Sequence, residues 1–231
     1  MLHTKYLLKE NWNPQFLSDC NEDEFNLFLN EINKDKKNLS LRKNMAFHEC
    51  YEAILEINCP VFVTGGSLLG IIRDNELIEW DDDIDMDMMQ EDFSNWKIKL
   101  KETFIEKGFV VRLKDSEYYP KMRIFAHGIK VSIDALFLKN DKRVRPAYNY
   151  LDIFFRNSEL YSYKGLDLLV PGPPKEFLKY VYGKNWKIPI KSNNDVEYMS
   201  SKVLNRSFVR FFLKKTYFQF KNFFSIGQTN F

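Results

Sequence analysis

Residues 63–89 read Val63-Thr-Gly-Gly-Ser-Leu-Leu-Gly-Ile-Ile-Arg-Asp-Asn-Glu-Leu-Ile-Glu-Trp-Asp-Asp-Asp-Ile-Asp-Met-Asp-Met-Met89. Five aspartates, Asp81, Asp82, Asp83, Asp85 and Asp87, fall within seven positions. From Asp83 onward they alternate with Ile84, Met86 and Met88, and a period of two is the pattern of a β-strand. The alternation places Asp83, Asp85 and Asp87 on one face and the apolar residues on the other. Next-but-one positions on a strand lie roughly 7 Å apart, within reach of a hard divalent cation. So dense a run of like charge opposes folding unless something neutralises it. By itself it also reads as a solvated acidic strand.

The residues just upstream change that reading. Val61–Thr64 is a short buried strand that runs into Gly65-Gly66-Ser67, and 67–72 reads as a helical turn. Strand, glycine turn and helix aim backbone N–H groups and a hydroxyl at an anion. Arg73 follows within two helical turns, and its guanidinium can grip a phosphate with two donors. An anion cradle beside a carboxylate strand is what a phosphate–Mg²⁺ (or Mn²⁺) site requires, because Mg²⁺ binds through one or two carboxylates, waters and phosphate oxygens.

Outward from this centre the pattern mixes helix and strand. Asp19–Asn33 is expected as a helix with Asp19 or Asn21 at its N-cap. Ser40–Ile57 is expected as a second, with Leu41, Met45, His48, Tyr51, Ile54 and Leu55 along its buried stripe, closed by Pro60. Asp92–Lys107 is a third, ended by Gly108. Phe109–Leu113, Lys121–Ala126 and Ile129–Leu138 read as strands, the last two forming a hairpin with His127 and Gly128 at a solvent-facing tip. Pro173–Tyr182 is a further helix stopped by Gly183. His48 is expected as a core or partly buried histidine, and Cys50 and Cys59 as core fillers. Trp186 belongs to the core or to an acceptor groove. The fold class expected is α+β, a short mixed sheet flanked by helices.

The 231 residues carry 34 Lys and Arg against 32 Asp and Glu, a net charge of +2. That balance excludes a nucleic-acid-wrapping surface, which needs concentrated positive charge. Three cysteines with no CxxC pair give neither a disulfide framework nor a zinc site and suit a reducing compartment. No signal-peptide pattern and no apolar run of bilayer-spanning length is found, so the cytoplasm is the expected location. The charge is unevenly placed. Tyr198–Phe231 holds six basic residues and no acidic one, leaving the preceding 197 residues at −4. A polar stretch near Ser192–Asp195 suggests a boundary between a domain of residues 1–195 and a tail of residues 196–231. From Lys202 the tail mixes Arg206, Arg210, Lys214 and Lys221 with phenylalanines in the manner of an interfacial helix. Such a helix holds the protein at a membrane surface or packs its phenylalanines on the protein.

The stretch GGSLLGIIRDNELIEWDDDIDMDM resembles the signature of the LicD/fukutin-like phosphotransferases, within the DNA polymerase β-like nucleotidyltransferase superfamily. A later segment, VPGPPKEFLKYVYGKNWKIP, is similar to that family's C-terminal motif, and the likeness spans about residues 40–190. The resemblance implies a nucleotidyltransferase-like sheet with Asp83 and Asp85 as the metal-binding Asp-x-Asp pair. It implies a third carboxylate on a later strand, and Asp134, alone among apolar neighbours in VSIDAL, is the expected one. Asp74 stands where many members have His after the Arg, and Glu79 where many have Pro before the Trp.

The resemblance further implies transfer of a phosphorylated alcohol, such as phosphocholine or ribitol phosphate, from a CDP-linked donor to a hydroxyl of a glycan or lipid-linked glycan. On that reading Mg²⁺ (or Mn²⁺) sits on Asp83 and Asp85, and Asp134 completes the site or takes the hydroxyl proton. Gly65, Gly66 and Ser67 hold the donor phosphates, with Arg73, Lys121 and Arg123 adding positive charge; at least one of the last two is expected to be a solvated strand residue. Two rivals stand beside it: transfer of a nucleoside monophosphate to a small molecule, sugar or protein, and a non-catalytic glycan- or membrane-binding protein with a vestigial site.

Overall fold

The computed structural model describes residues 13–34, 37–192 and 195–204. In chain order its elements are α1 (Pro14–Asp19), α2 (Glu22–Lys34), α3 (Leu39–Glu56), β1 (Phe62–Val63), α4 (Gly65–Asp74), β2 (Asp83–Met89), α5 (Gln90–Glu106), β3 (Val110–Lys114), β4 (Lys121–Ala126), β5 (Ile129–Lys139), β6 (Lys142–Val144), β7 (Asn149–Leu151), α6 (Ile153–Arg156), β8 (Glu159–Tyr163), β9 (Leu166–Val170), α7 (Pro174–Tyr182) and α8 (Asp195–Tyr198). The α+β class expected from the sequence is what the chain forms. The basic tail lies, from Asn205 onward, outside the described residues.

The main sheet runs β1-β2-β5-β4-β3, with β6 continuing from β5 and β7 from β6. It is mixed: β2 and β5 are parallel, and the other pairs are antiparallel. Register carries the two-residue alternation across the sheet. Ile84 pairs with Val131, Met86 with Ile133 and Met88 with Ala135, while Met122 and Ile124 on β4 face Ile133 and Val131. All of these side chains are buried in one core with Phe47, Tyr51 and Ile54 of α3 and Phe93, Leu100 and Phe104 of α5. Asp83, Asp85, Asp87 and Asp134 necessarily share the other face. At the β3 end that face is covered by α1 and α2, whose Leu17, Phe25, Phe28 and Ile32 pack on Val110 and Phe125. At the β2 end it is covered over Asp87 and Asp134 and partly open at Asp83 and Asp85.

Local chemistry explains the new N-terminal helix. Asn13 accepts from the Phe16 N–H at 2.8 Å ahead of Pro14, which starts α1. Asn21, not Asp19, caps α2: its side chain accepts from Glu24 N–H at 3.0 Å. Ser18 Oγ accepts from the Val111 N–H at 2.9 Å, so α1 occupies part of the edge that β3 would otherwise present.

Two expectations are corrected. Helix α3 buries Arg42, Lys43, Ala46, Phe47, Cys50, Tyr51, Ala53 and Ile54, while Leu41 and Leu55 are exposed. Apolar residues surround much of this helix, and its orientation follows from Arg42 and Lys43 finding backbone acceptors: Arg42 donates to the His127 carbonyl at 3.1 Å, and Lys43 to those of Ile78 and Asp81. His48 is partly buried beside Glu52, within the expected range. The β4–β5 hairpin is present, yet His127 at its tip is buried, with Nε2 3.0 Å from Glu49, because the tip folds onto α3. Cys50 and Cys59 are buried core residues, as expected.

Phe104→Ala should lower unfolding stability by about 3–5 kcal/mol, since this ring is fully buried in the main core. A urea midpoint unchanged from the parent would show that α5 is not seated as described.

Candidate active site

Strand β1 is two residues long and delivers the chain to Thr64, the N-cap of α4. The Thr64 hydroxyl does not cap that helix. It donates to Asp87 Oδ2 at 2.7 Å. Gly65 adopts φ +56, and a Cβ there would fall 2.7 Å from Asp85 Oδ2. A Cβ on Gly66 would fall 2.4 Å from Asp81 Oδ2. The two glycines are therefore what lets the first turn of α4 approach the carboxylates. That turn carries the positive end of the helix dipole and N–H groups with no intrahelical acceptor. Ser67 is buried, and its Oγ accepts from the Asp85 N–H at 2.9 Å. It ties α4 to β2 and does not line the cavity beside them.

Over this turn the aspartates converge. Asp81, Asp82 and Asp83 each offer an oxygen such that all three lie within 4.8 Å of one another. Burial first, then the charge of Asp83, pushes Asp81 up to about 7. The same two causes push Asp85 up to about 6. Asp83 meets Lys130 at 2.7 Å. Beneath the loop, buried Lys43 donates to the Asp81 carbonyl at 2.6 Å and to that of Ile78. Burial lowers its pKa, while Asp81 and its neighbours oppose that shift.

Behind the open cluster lies a closed one. Asp87 is fully buried and is pushed up to about 6 by that burial, with Arg145 acting against the shift. Asp134 stands opposite Asp87 in the β2–β5 register. It receives Arg123 at 2.7 Å, Arg145 Nη1, and the Tyr119 hydroxyl at 3.2 Å. Burial raises its pKa, but Arg145 and Arg123 outweigh that and hold it below the usual carboxylate value. Arg145 also lies 3.5 Å from Asp87 and stacks on Tyr148, 4.7 Å from the ring centroid.

A cavity of about 990 Å³ opens over the cluster. Gly65, Gly66, Arg73, Asp81, Asp82, Asp83, Asp85 and Arg145 line it together with Trp80, Tyr148, Tyr182, Trp186, Ile188 and Tyr198. Trp186 is thus both core and cavity wall. Backbone bonds from Asn149 N–H to Val203 and from Ser200 N–H to Val181, both 2.7 Å, hold residues 195–204 against this wall. Arg73 faces the cavity while paired with Asp74 at 2.7 Å.

Of the residues singled out from sequence, Gly65, Gly66, Arg73, Asp83 and Asp85 meet at the cavity. Asp134 shares their sheet face but is enclosed by arginines, and Lys121 and Arg123 stand outside the cavity lining. Sequence reasoning passed over Asp81, Lys43 and Arg145. Asp81 could have been found from its place in the run, whereas Lys43 and Arg145 stand 38 and 64 positions from it with no local signal.

Residues 58–162 match the family model described as LicD/FKTN/FKRP, nucleotidyltransferase domain. An uncharacterized protein of Rickettsia typhi is 28% identical over 177 residues, covering 75% of this chain and 52% of that protein. An uncharacterized protein of Rickettsia prowazekii is 26% identical over 182 residues, covering 75% of this chain and 62% of its own length. The chain therefore spans about half to three-fifths of these relatives. Among solved structures, the antibiotic-resistance factor ANT(2'')-Ia aligns with a TM-score of 0.42 at 14% identity, over 57% of this chain and 66% of that one. A putative nucleotidyltransferase from Thermotoga maritima aligns at 0.39 and 19% identity, over 59% of this chain and 81% of that one. Among the described residues no helix is long and apolar enough to cross a membrane.

Asp134→Asn should destabilise the protein by about 3–5 kcal/mol, because it leaves two largely buried arginines without their shared carboxylate. Chemical denaturation measures this, and a loss below about 1 kcal/mol would mean that the pairs contribute little.

Proposed function

We propose that this LicD-type domain transfers a phosphorylated alcohol, such as phosphocholine or ribitol phosphate, from a CDP-linked donor to a hydroxyl of a glycan or lipid-linked glycan precursor. The observation that carries the reading is one cavity lined both by carboxylates gathered on a glycine turn and by aromatic rings. Its volume is in the range of small-molecule sites, roughly 300–1,000 Å³.

The donor set fits a hard divalent cation, Mg²⁺ or Mn²⁺: oxygen ligands only, mutually repelling, and close enough together to share one ion. The grouped oxygens are those of Asp81, Asp82 and Asp83; Asp83, with Asp85 next on the same strand face, is assigned to the ion, and Asp81 is left to proton transfer. Such an ion supplies charge neutralisation of the diphosphate and of the departing CMP oxygen. The chain's own groups do the rest. Arg73 and Arg145 bring positive charge to the cavity lining. Tyr148, Tyr182, Trp186 and Tyr198 offer flat faces on which a base or sugar ring stacks. Asp81, which lines the cavity beside Asp83, is placed to receive the acceptor hydroxyl's proton. Asp134, enclosed by Arg123 and Arg145, fixes the position of Arg145. In this reading the basic tail serves an acceptor presented at the cytoplasmic face of a membrane.

The test is incubation of the full chain with Mg²⁺ and CDP-choline, CDP-ribitol or CDP-glycerol, with glycan acceptors present. CMP release with transfer of the alcohol phosphate is expected. Pyrophosphate release from a nucleoside triphosphate would instead establish nucleotidyl transfer. Asp83→Ala and Asp85→Ala should each lower turnover by at least about a hundredfold while leaving the fold intact, since each removes one of several repelling charges. Near-parental turnover in both variants at saturating Mg²⁺ would end the assignment.

A further inference from the structure

Lysines reach the acidic run in two different ways. Lys130 Nζ stands on a carboxylate, 2.7 Å from Asp83 Oδ2, and its side chain is half-exposed. Lys43 is buried on α3, and its ammonium donates to main-chain carbonyls, that of Ile78 and, at 2.6 Å, that of Asp81. These two carbonyls are the first and last of a four-residue turn, closed by Asp81 N–H donating to Ile78 at 3.2 Å. One ammonium thus clamps both ends of the turn. The turn carries Trp80 and Asp81 to the cavity and leads directly into Asp82 and Asp83.

The same segment is seated on α4 from its other side. A Cβ on Gly70 would fall 2.5 Å from the Glu76 carbonyl oxygen and 2.8 Å from the Ile78 nitrogen, so glycine lets residues 76–78 lie against the helix. Leu77 is buried in the main core. Oxygens of Asp81, Asp82 and Asp83 stand within 4.8 Å of one another, and their repulsion opposes that gathering. A group that held them by their carboxylates would compete with an ion; a group that holds their backbone does not. Lys43 also precedes residues 58–162, the segment that matches the family model. The acidic turn of that segment is therefore fixed by a helix outside it.

We infer that Lys43 is a positioning residue for the cation site, while Lys130 is a place-holder on Asp83 that the ion displaces, an inference that rests on the metal-dependent reading above. By clamping the turn 78–81, Lys43 sets Asp83 and its neighbours in place before an ion arrives. Both lysines bring positive charge near the ion, so charge alone would make loss of either one tighten cation binding. Geometry makes them differ in sign. Loss of Lys130 frees a ligand, whereas loss of Lys43 frees the turn.

The test reads metal binding, not turnover. Mn²⁺ alone is titrated into the full chain, and the free ion is followed by its EPR signal. Lys43→Met, with an apolar side chain of similar length, should bind Mn²⁺ at least about tenfold more weakly than the parent. Lys130→Met should bind it roughly two- to fivefold more tightly. Equal or tighter binding by Lys43→Met would overturn the positioning role, and weaker binding by Lys130→Met would overturn the place-holder. Urea unfolding checks that each variant is folded. Amide hydrogen exchange at Asp81 in the parent needs no variant: a clamped turn protects this N–H before Mg²⁺ is added. An amide that exchanges freely until Mg²⁺ is present would show that the ion forms the turn, and would overturn the role of Lys43 even if Lys43→Met does not fold. Absence of Mn²⁺ binding by the parent would sink the metal-dependent reading and the roles of both lysines with it. With parental binding intact, equal affinity in Lys43→Met sinks the positioning role alone.

Discussion

Asp87 has no exposed surface, and its carboxylate sits on a strand with two other aspartates on the same face. A buried charge is tolerated only where hydrogen bonds and opposite charge meet it. Thr64 supplies the hydrogen bond and Arg145 the charge, with Asp134 and Arg123 completing the cluster. These contacts bring four distant pieces of chain to one point: the end of β1, the middle of β2, the hairpin strands β4 and β5, and the turn after β6. The placement of α4 follows. Thr64 is its N-cap, so the residue that satisfies Asp87 also sets where the glycine turn begins.

From that closed cluster outward the same strand becomes progressively more exposed. Asp85 and Asp83 are partly open, and Asp82 is exposed. One face thus holds a self-neutralised cluster at one end and a repelling one at the other. The inner carboxylates are spent on arginines, threonine and tyrosine. The outer ones share the positive end of α4, Lys43 beneath and Lys130 beside them. That gradient separates enclosed, paired carboxylates from open, mutually repelling ones along a single strand face.

The aromatic side of the cavity is built by chain far from the acidic run. Tyr148 precedes β7, Tyr182 ends α7, Trp186 follows it, and Tyr198 ends α8, stacking on Tyr182 at 6.2 Å between ring centroids. Val203, buried in the main core, anchors this last segment to the domain. A shallow carboxylate surface becomes a cavity because these later segments fold back across it.

Residues 63–89 alone determined much of what matters. Two-residue alternation placed Asp83, Asp85 and Asp87 on one face, since a strand has no other way to present them. The glycine pair announced the close turn above them. The β4–β5 hairpin, α5 and α7 were legible for similarly local reasons: turn residues, periodicity and stop signals. What tertiary structure decided is which groups meet. Helix α3 carries apolar residues on several sides, and only the carbonyls of Ile78, Asp81 and His127 decide that Arg42 and Lys43 turn inward. His127 occupies a tip that local rules send to solvent, and it is buried because that tip meets α3. Asp134 stands out in the sequence as a lone charge in an apolar strand, but spacing cannot say whether its partner is a cation from solution or an arginine. Arg145, 11 residues farther on, supplies that partner, because strands β5 and β6 fold back on each other and carry its guanidinium to the same buried point.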